Sequence, residues 1–456
     1  MSSLLKPFRM VRNHWKKSVF FSCVALYGYK YLETRNRIYK LMTAYCEEAM
    51  KYGDESWHPQ RPLRHLTVVL NPVCNKRRSK KLYEKYIQPI FHCAGLKISL
   101  VETETEGQTR DYMKVMSNTD GVVIVGGDGS IHEAITGYLR RDDLSGSEIL
   151  PMAFLPTGKR NYGMLKLFGI EDDGSGEITC KVKHVQILGK LAMNVIREVI
   201  KPLDVIKIQK DGESEPLFAF YSVDFGFFWN VLQNVDKYWY YGDTLKPYYP
   251  LIKSLYLKDH SQFSSPRAVI SYTKPCSGCS KCFEKFKEPK PLEAPRRWWQ
   301  LLIPRPGQTR LTRDDRSEKM KSKINEECGH WHEIENTDFL NFSLRNSFNN
   351  KMSLYLHPSE STTKSNLLDD GVNFCRNKMP NSSSVGITEV GDLQLRFVDV
   401  TTSLDSSNEL SDLEDQDTQK DESLSSDKNL SIDRENYPIN NFQITLLPNR
   451  LRIYGY

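Results

Sequence analysis

"VVIVGGDGSIHEAI", residues 122–135, is the stretch on which the reading of the fold turns. Val122, Val123, Ile124 and Val125 form a short β-branched run bounded by a turn signal, the pattern of a buried strand. Gly126, Gly127 and Gly129 then surround Asp128; glycine permits positive φ and lets another molecule come close to the main chain. Behind them Ile131, Ala134, Ile135 and Leu139 recur at helical spacing, and Arg140 and Arg141 suit a helix C-terminus. Strand, glycine turn and helix N-terminus together offer free N–H groups and a favourable dipole to an anion. A tight βα turn with no ligand would leave the same local signature, so the flanking chain has to discriminate.

The flanks repeat the theme. In "RHLTVVLNPVCNKRRSKKLYEKYIQPIF" Leu66 to Leu70 read as a strand that Asn71-Pro72 ends, with Leu82, Tyr86 and Ile90 on a helix face. "LKISLVET" gives a second strand up to Thr103, and the polar "ETEGQT" leads into a helix around Tyr112 to Met116. "LPMAFLPTGKRNYGMLKLF" supplies another apolar strand, broken by Pro156 and Gly158. Strands alternating with helices over residues 64–200 predict a parallel α/β sheet. In such sheets ligands sit beyond the strand carboxyl ends, where Asn71, Thr103, Asp128 and Gly158 all fall.

The second half has a different texture. "PLDVIKIQ", "PLFAFYSVDFG", "RAVISYT", "DFLNFSLRN", "KMSLYLHP", "LQLRFVDV" and "NFQITLLPNRLRIY" are short alternating runs without long helices between them. They predict an antiparallel sandwich or barrel. One aromatic helix, roughly Lys237 to Leu257, interrupts it. The expected fold is therefore an α/β N-terminal domain with a parallel sheet and a C-terminal antiparallel β-sandwich. The expected divisions are an N-terminal segment 1–60, the α/β domain 61–200 and the β-rich domain 201–456. Within the last, residues 284–325, 358–385 and 401–430 read as surface inserts or disorder from their Pro, Ser, Asn and charge content.

A net charge of +6 over 456 residues, with 26% charged and 39% hydrophobic residues, is ordinary and gives no case for a nucleic-acid partner. Its distribution says more. Residues 1–40 hold nine Lys/Arg against Glu33 alone, whereas residues 401–430 hold nine acids against two lysines. The start is basic, then apolar from Val19 to Tyr29, then basic again, and the apolar run is shorter than the ~20 residues a span requires. Trp15, Phe20, Phe21, Tyr27 and Tyr29 favour a membrane–water interface, and the acid-poor start fits mitochondrial targeting. A helix packed on the protein's own body is the other reading of this segment. "APRRWWQLLIPR", with Trp298 and Trp299, reads as core packing or as a second membrane-surface contact.

With these strand ends placed, the chain resembles the diacylglycerol kinase catalytic-domain family, which includes the sphingosine kinases, and closely resembles its acylglycerol kinase branch. "RNHWKKS", "VVLNP", "TETEGQ", "GGDGSIHEAITGYLRR", "PLDVIKI", "KYWYYG", "SIDRENYP" and "TLLPNRL" carry the resemblance, in that order. GGDG alone also resembles NAD kinases; the ordered set is what is specific. The resemblance implies ATP- and Mg2+-dependent phosphorylation of a monoacylglycerol, diacylglycerol or ceramide-like hydroxyl. It implies nucleotide contacts from Asn71, Pro72, Thr103, Gly126, Gly127, Gly129, Ser130 and Gly158. Asp128 would face the metal or the lipid hydroxyl, and Glu435, with Asp433 as companion, would take the general-base position. Asp128 remains a rival for that role. Three departures stand out: Arg434 replaces the glycine of the family's Asp-Gly-Glu, "PTGKRNY" carries Lys159 and Tyr162 in place of Thr and Asp, and "NPVCNKRR" lacks a small glycine after Asn-Pro. Lys76, Arg77 and Arg78 in that last loop could offset phosphate charge or form a solvated face. The resemblance also implies the mitochondrial inner membrane or intermembrane space as location, an acylglycerol lipid and a membrane surface as partners, and, as a second class of role, membership of an inner-membrane protein-import assembly.

The cysteines pose a separate question. Three of ten fall in "CSGCSKC" as Cys276, Cys279 and Cys282, and "CGHWH" brings Cys328, His330 and His332. C-x2-C spacing with a second cluster about fifty residues on fits a zinc site. Free or disulfide-forming thiols in an insert are the alternative.

Overall fold

The computed structural model describes residues 15–54, 63–141, 149–170, 178, 180–246, 248–257, 268–276, 278–282, 321–334, 339–358, 364–376, 378, 386–397 and 429–455. The chain divides into two compact units: residues 1–64, 81–97 and 178–198 form one, and the rest the other.

In the first unit, helix α1 (Trp15–Gly53) runs for 39 residues. Its second half packs on the helices Gln88–Cys93 and Lys181–Ile196: Ala49 is fully buried, and Tyr45 lies so close to Gly189 that a Cβ there would overlap its ring. Its first half is unlike this. Phe20, Phe21, Leu26, Tyr27 and Tyr29 are all more than 60% exposed, so the reading as a helix packed on the protein's own body holds only for the later turns. Among the described residues no helix is long and apolar enough to cross a membrane.

Among the described residues the second unit holds sixteen strands: β1 (His65–Leu70), β2 (Lys97–Glu102), β3 (Gly121–Gly126), β4 (Pro151–Pro156), β5 (Ile200–Lys210), β6 (Leu217–Ala219), β7 (Ser222–Gly226), β8 (Ala268–Thr273), β9 (Trp331–Ile334), β10 (Phe339–Asn346), β11 (Met352–Pro358), β12 (Gly386–Val390), β13 (Asp392–Phe397), β14 (Asn429–Ile432), β15 (Glu435–Pro438) and β16 (Phe442–Tyr454). One sheet runs β2-β1-β3-β4-β16-β13-β8-β9, with β5 and β6 branching from β16. β1, β3 and β4 pair in parallel, and β3 and β4 are buried at every position, as a strand in the middle of a parallel sheet must be. β16 pairs parallel with β4 at one end and antiparallel with β5 and β13 along its length, so the sheet changes character within a single strand.

The other sheet, β12-β11-β10-β7-β14-β15, is antiparallel throughout. Its inner face meets the antiparallel part of the first sheet around Phe225, Phe342, Leu344, Ile270, Leu395 and Ile444, with Phe225 stacked on Phe342 at 4.7 Å. This is the expected sandwich.

Two expectations need correction. The aromatic stretch 237–257 is not one helix: a 3-10 helix spans Asn234–Tyr241, and Gly242 (φ 72°) separates it from later short helices. Residues 364–375, placed inside an insert by their polar composition, form a helix that buries Leu367 and Phe374 against Phe228 and Leu251. Low overall apolarity hid an amphipathic pattern with few but well-spaced contacts. Of the inserts expected at 284–325 and 401–430, residues 284–320 and 401–428, with Trp298 and Trp299, lie outside the described residues, and the last two, Asn429 and Leu430, instead begin β14 with Leu430 fully buried.

Candidate active site

The strand order β2-β1-β3-β4 places a topological switch between β1 and β3, because the chain leaves β1 for one neighbour and returns on the other side. At such a point two adjacent loops diverge at the carboxyl edge and leave a crevice. Asn71, just past β1, donates its N–H to Val125 O in β3 at 3.1 Å and so stands at that crevice. Its side-chain oxygen accepts from the N–H groups of Val73 and Cys74, both at 3.2 Å, while its amide donates to Ser130 Oγ at 3.2 Å. One asparagine thus ties the Asn-Pro loop to the first turn of helix α3 (Asp128–Leu139), which follows α2 (Gln108–Val115).

The glycines act differently from the expectation. None of Gly126, Gly127, Gly129 or Gly158 has a positive φ. What they supply is space for the chain's own atoms. A Cβ on Gly158 would sit 2.5 Å from Gly127 Cα, one on Gly126 would sit 2.6 Å from Ser130 Oγ, and one on Gly129 would overlap the Glu435 carboxylate. Gly158 N–H and Thr157 N–H both donate to Gly126 O, at 3.0 and 3.1 Å, so the loops after β3 and β4 are zipped together. The left-handed conformation appears one loop away, at Asn75, Lys76 and Arg77 (φ 55°, 54° and 64°), none of which is glycine. Asn75 Nδ2 donates to Thr157 O at 3.1 Å and holds that turn; the Lys76, Arg77 and Arg78 side chains are exposed.

A pocket of about 400 Å3 opens at this crevice, lined by Asn71, Thr103, Gly127, Gly129, Ser130 and Glu435 among others. Glu435 arrives from the far end of the chain on a two-residue hairpin. Ile432 pairs with Glu435 across Asp433 and Arg434, whose φ values are 48° and 71°. Positive φ at both central residues is the type I′ geometry, which usually takes Asn-Gly or Asp-Gly. Arg434 adopts it without being glycine and lies with its guanidinium 3.6 Å from the centroid of the Tyr162 ring. Asp433 accepts from the N–H groups of Phe220, Tyr221 and Ser222 at 2.8–2.9 Å, and anchors the hairpin tip. Its carboxylate is not on the pocket wall.

Asp128 is also off the wall and buried. Its two oxygens accept from Gly163 N–H (2.8 Å) and Met164 N–H (3.3 Å), in the first turn of α4 (Tyr162–Leu167). Burial pushes its carboxyl up to about 7 and Asp433 adds to the rise, while those two N–H groups and Arg434 work the other way. Glu435 is likewise pushed up to about 7, by burial first and then by Glu133, Asp433 and Glu106, against a lowering by His132. His132, fully enclosed, donates to or accepts from Tyr437 Oη at 2.7 Å and has Nδ1 3.5 Å from Asp433. Burial disfavours its charge, but Asp433, with Glu435 and Glu133 adding to it, moves its pKa upward on balance.

Residues 65–208 match the family described as the diacylglycerol kinase catalytic domain. The chain is 33% identical over 242 residues to "Acylglycerol kinase, mitochondrial" of Xenopus laevis, a match covering 53% of this chain and 54% of the relative. Against the protein of that name from Homo sapiens it is 33% identical over 272 residues, 59% and 60% of the two chains. The matches thus span little more than half the length of these curated relatives. A crystal structure of a putative diacylglycerol kinase from Bacillus anthracis str. Sterne aligns over 86% of this chain and 97% of its own, with a TM-score of 0.47 and 14% identity.

In the pocket Asn71, Thr103, Gly127, Gly129, Ser130 and Glu435 come together on one wall, whereas Pro72, Gly126, Asp128, Gly158 and Asp433 do not line it. Sequence reasoning missed Glu106 and Glu133, which add negative charge to the pocket. Glu133 sits one turn after Gly129, a helical spacing that would have found it, and it accepts the Gly107 N–H at 3.0 Å. A second cavity, about 570 Å3, was also not anticipated. Tyr162, Leu165, Tyr221, Phe228 and Phe374 give it apolar walls, and Arg345 is among its polar residues. Arg345 is paired with buried Asp224 at 3.0 Å. The cavity has no sequence signature because its walls come from α4, Tyr221 just before β7, β10, β11 and two helices of the β-rich half.

Proposed function

We propose that the chain is an ATP-dependent lipid kinase that transfers a phosphoryl group to the hydroxyl of an acylglycerol. The observation that carries this reading is the convergence, in one pocket, of the α3 N-terminus, Asn71, Thr103 and the distant Glu435. Phosphoryl transfer needs little covalent chemistry from the protein; it needs held phosphates, offset charge and an oriented nucleophile. The first N–H groups of α3 have no partner within the helix and suit phosphate oxygens. The carboxylates of Glu106, Glu133 and Glu435 are hard oxygen donors of the kind Mg2+ accepts together with nucleotide phosphates, so the residues present fit a magnesium nucleotide.

Of the two carboxylates that compete for the base, the geometry favours Glu435. Both are pushed up to about 7, in the range where a general base works best, but only Glu435 lies on the pocket wall. Asp128 has both oxygens engaged by backbone N–H groups, and by holding α4 it sets the position of Tyr162 and Leu165 on the wall of the 570 Å3 cavity. That cavity is of ordinary small-ligand size and suits the apolar part of the acceptor. The exposed aromatic half of α1 supports a membrane-surface location, and the relatives' names support the mitochondrion.

The test is transfer of labelled phosphate from ATP to dispersed monoacylglycerol, diacylglycerol and ceramide, with and without Mg2+. Labelled acylglycerol phosphate is the expected product. A purified chain that binds vesicles but labels no lipid would refute the kinase reading in favour of a role confined to a membrane assembly.

A further inference from the structure

Between β8 and β9, at the outer edge of the ten-stranded sheet, the chain makes a feature that the kinase reading does not use. Thr273 pairs with Trp331, so the two strands part at that point, and the cysteines follow at once on both sides. Cys276 lies three residues after Thr273, and Cys328 three residues before Trp331. The Sγ atoms of Cys276, Cys279, Cys282 and Cys328 all lie within 4.8 Å of one another, and all four are free thiols.

Four sulfurs at one point are an unfavourable arrangement unless something occupies the centre, because thiolates repel and thiols donate only weakly. In a tetrahedral zinc–thiolate centre with Zn–S near 2.3 Å, neighbouring sulfurs are about 3.8 Å apart. Cys279 and Cys282 are 3.6 Å apart here. The surroundings are also those of thiolates. The Cys279 N–H points at Cys282 Sγ (3.4 Å), and Asn325 Nδ2 points at Cys276 Sγ (3.4 Å). N–H groups directed at ligand sulfur are the outer-shell contacts that fix and tune such centres. The backbone is knotted around the same point: Cys282 N–H donates to Cys279 O at 3.1 Å, and Ser280 N–H donates across to Lys323 O at 2.9 Å.

We propose that Cys276, Cys279, Cys282 and Cys328 form a structural four-cysteine zinc site that staples the ends of the segment inserted between β8 and β9. A tetrahedral all-sulfur set selects zinc among the common divalent ions. Closed four-ligand sites with no open position are structural rather than catalytic. His330 and His332, which the sequence offered as ligands, are not in the cluster; the His332 ring instead lies 5.6 Å from that of Tyr272. The site would hold the sheet edge, and this inference stands whether or not the kinase reading does.

The experiment is metal analysis of the full chain purified with a thiol reductant. About one zinc per chain is expected, lost on Cys279→Ser or Cys328→Ser and kept on His330→Ala and His332→Ala. Because a cysteine variant can fail through misfolding, the wild-type chain exchanged into Co2+ gives a second readout. Sulfur-to-cobalt charge transfer together with the visible bands of tetrahedral cobalt is expected. A reduced, folded chain without bound metal would overturn the proposal. So would two disulfides among these four cysteines in the freshly isolated protein, or zinc that survives in both cysteine variants.

Discussion

Replacing Glu435 by Gln keeps the shape of the side chain and removes its charge, so it separates the proposed chemistry from the packing. A positioned general base is worth roughly 10²- to 10⁴-fold in rate, or about 3–5 kcal/mol of barrier. The effect on stability has the opposite sign. Folding raises the Glu435 pKa from 4.5 to about 7, chiefly by burial, so its contribution to stability is complete below pH 4.5 and is lost as pH rises through 7. Above pH 7 the wild type therefore carries a charge that the pocket disfavours, and the Gln variant does not. The variant should be the more stable of the two there, by at most about 3 kcal/mol and by less where the pocket opening lets solvent screen the charge. The assay is kcat/KM for phosphate transfer to dispersed acylglycerol between pH 5.5 and 9, alongside urea unfolding at pH 5 and pH 8. In the wild type kcat/KM should fall about tenfold per pH unit below about 7, as the base is protonated; the variant should lose at least a hundredfold at pH 8 and show no such inflection. Activity within tenfold of wild type, or a slow variant that keeps the inflection near 7, would refute Glu435 as the base and return the role to Asp128.

Asp128→Asn is nearly isosteric, yet it puts an NH2 group against one of the two N–H donors, Gly163 or Met164. A loss of about 1–3 kcal/mol in denaturant unfolding is expected, with activity lowered, and unchanged stability would contradict the hydrogen-bond assignment. Gly158→Ala would drive a Cβ to 2.5 Å from Gly127 Cα, where backbone cannot yield easily. About 1–3 kcal/mol of destabilisation and a raised KM for ATP should follow, and unchanged values of both would show that the two loops are not packed as described. In α1, Phe20 and Phe21 are 63% and 67% exposed. If they dip into lipid, each buries about 1.5–3 kcal/mol, so changing both to Ser should weaken co-sedimentation with anionic vesicles at least a hundredfold; unaltered binding would place the membrane contact elsewhere.

What sequence determined here was local. The run Val122–Val125, the glycines and the helical spacing behind them lie within one fourteen-residue window, and the physics of strand, turn and helix start acts over that range. Alternation in the second half showed the sandwich for the same reason, since period two is a property of the strand itself. The four cysteines were visible as a set, but not which of the six Cys and His candidates would meet, because that depends on how β8 pairs with β9. Only tertiary structure separates Asp128 from Glu435, about three hundred residues apart in the chain, by placing Glu435 but not Asp128 on the pocket wall. The pairing of β14 with β7, and the anchoring of Asp433 by three backbone N–H groups, bring the Glu435 carboxylate to Gly129. The same long-range packing presents the α4 amides to Asp128 and takes it off the pocket wall. Long-range pairing of this kind is set by the burial of whole faces rather than by any residue's neighbours in the chain, so a motif can name both carboxylates and still leave open which of them meets the substrate.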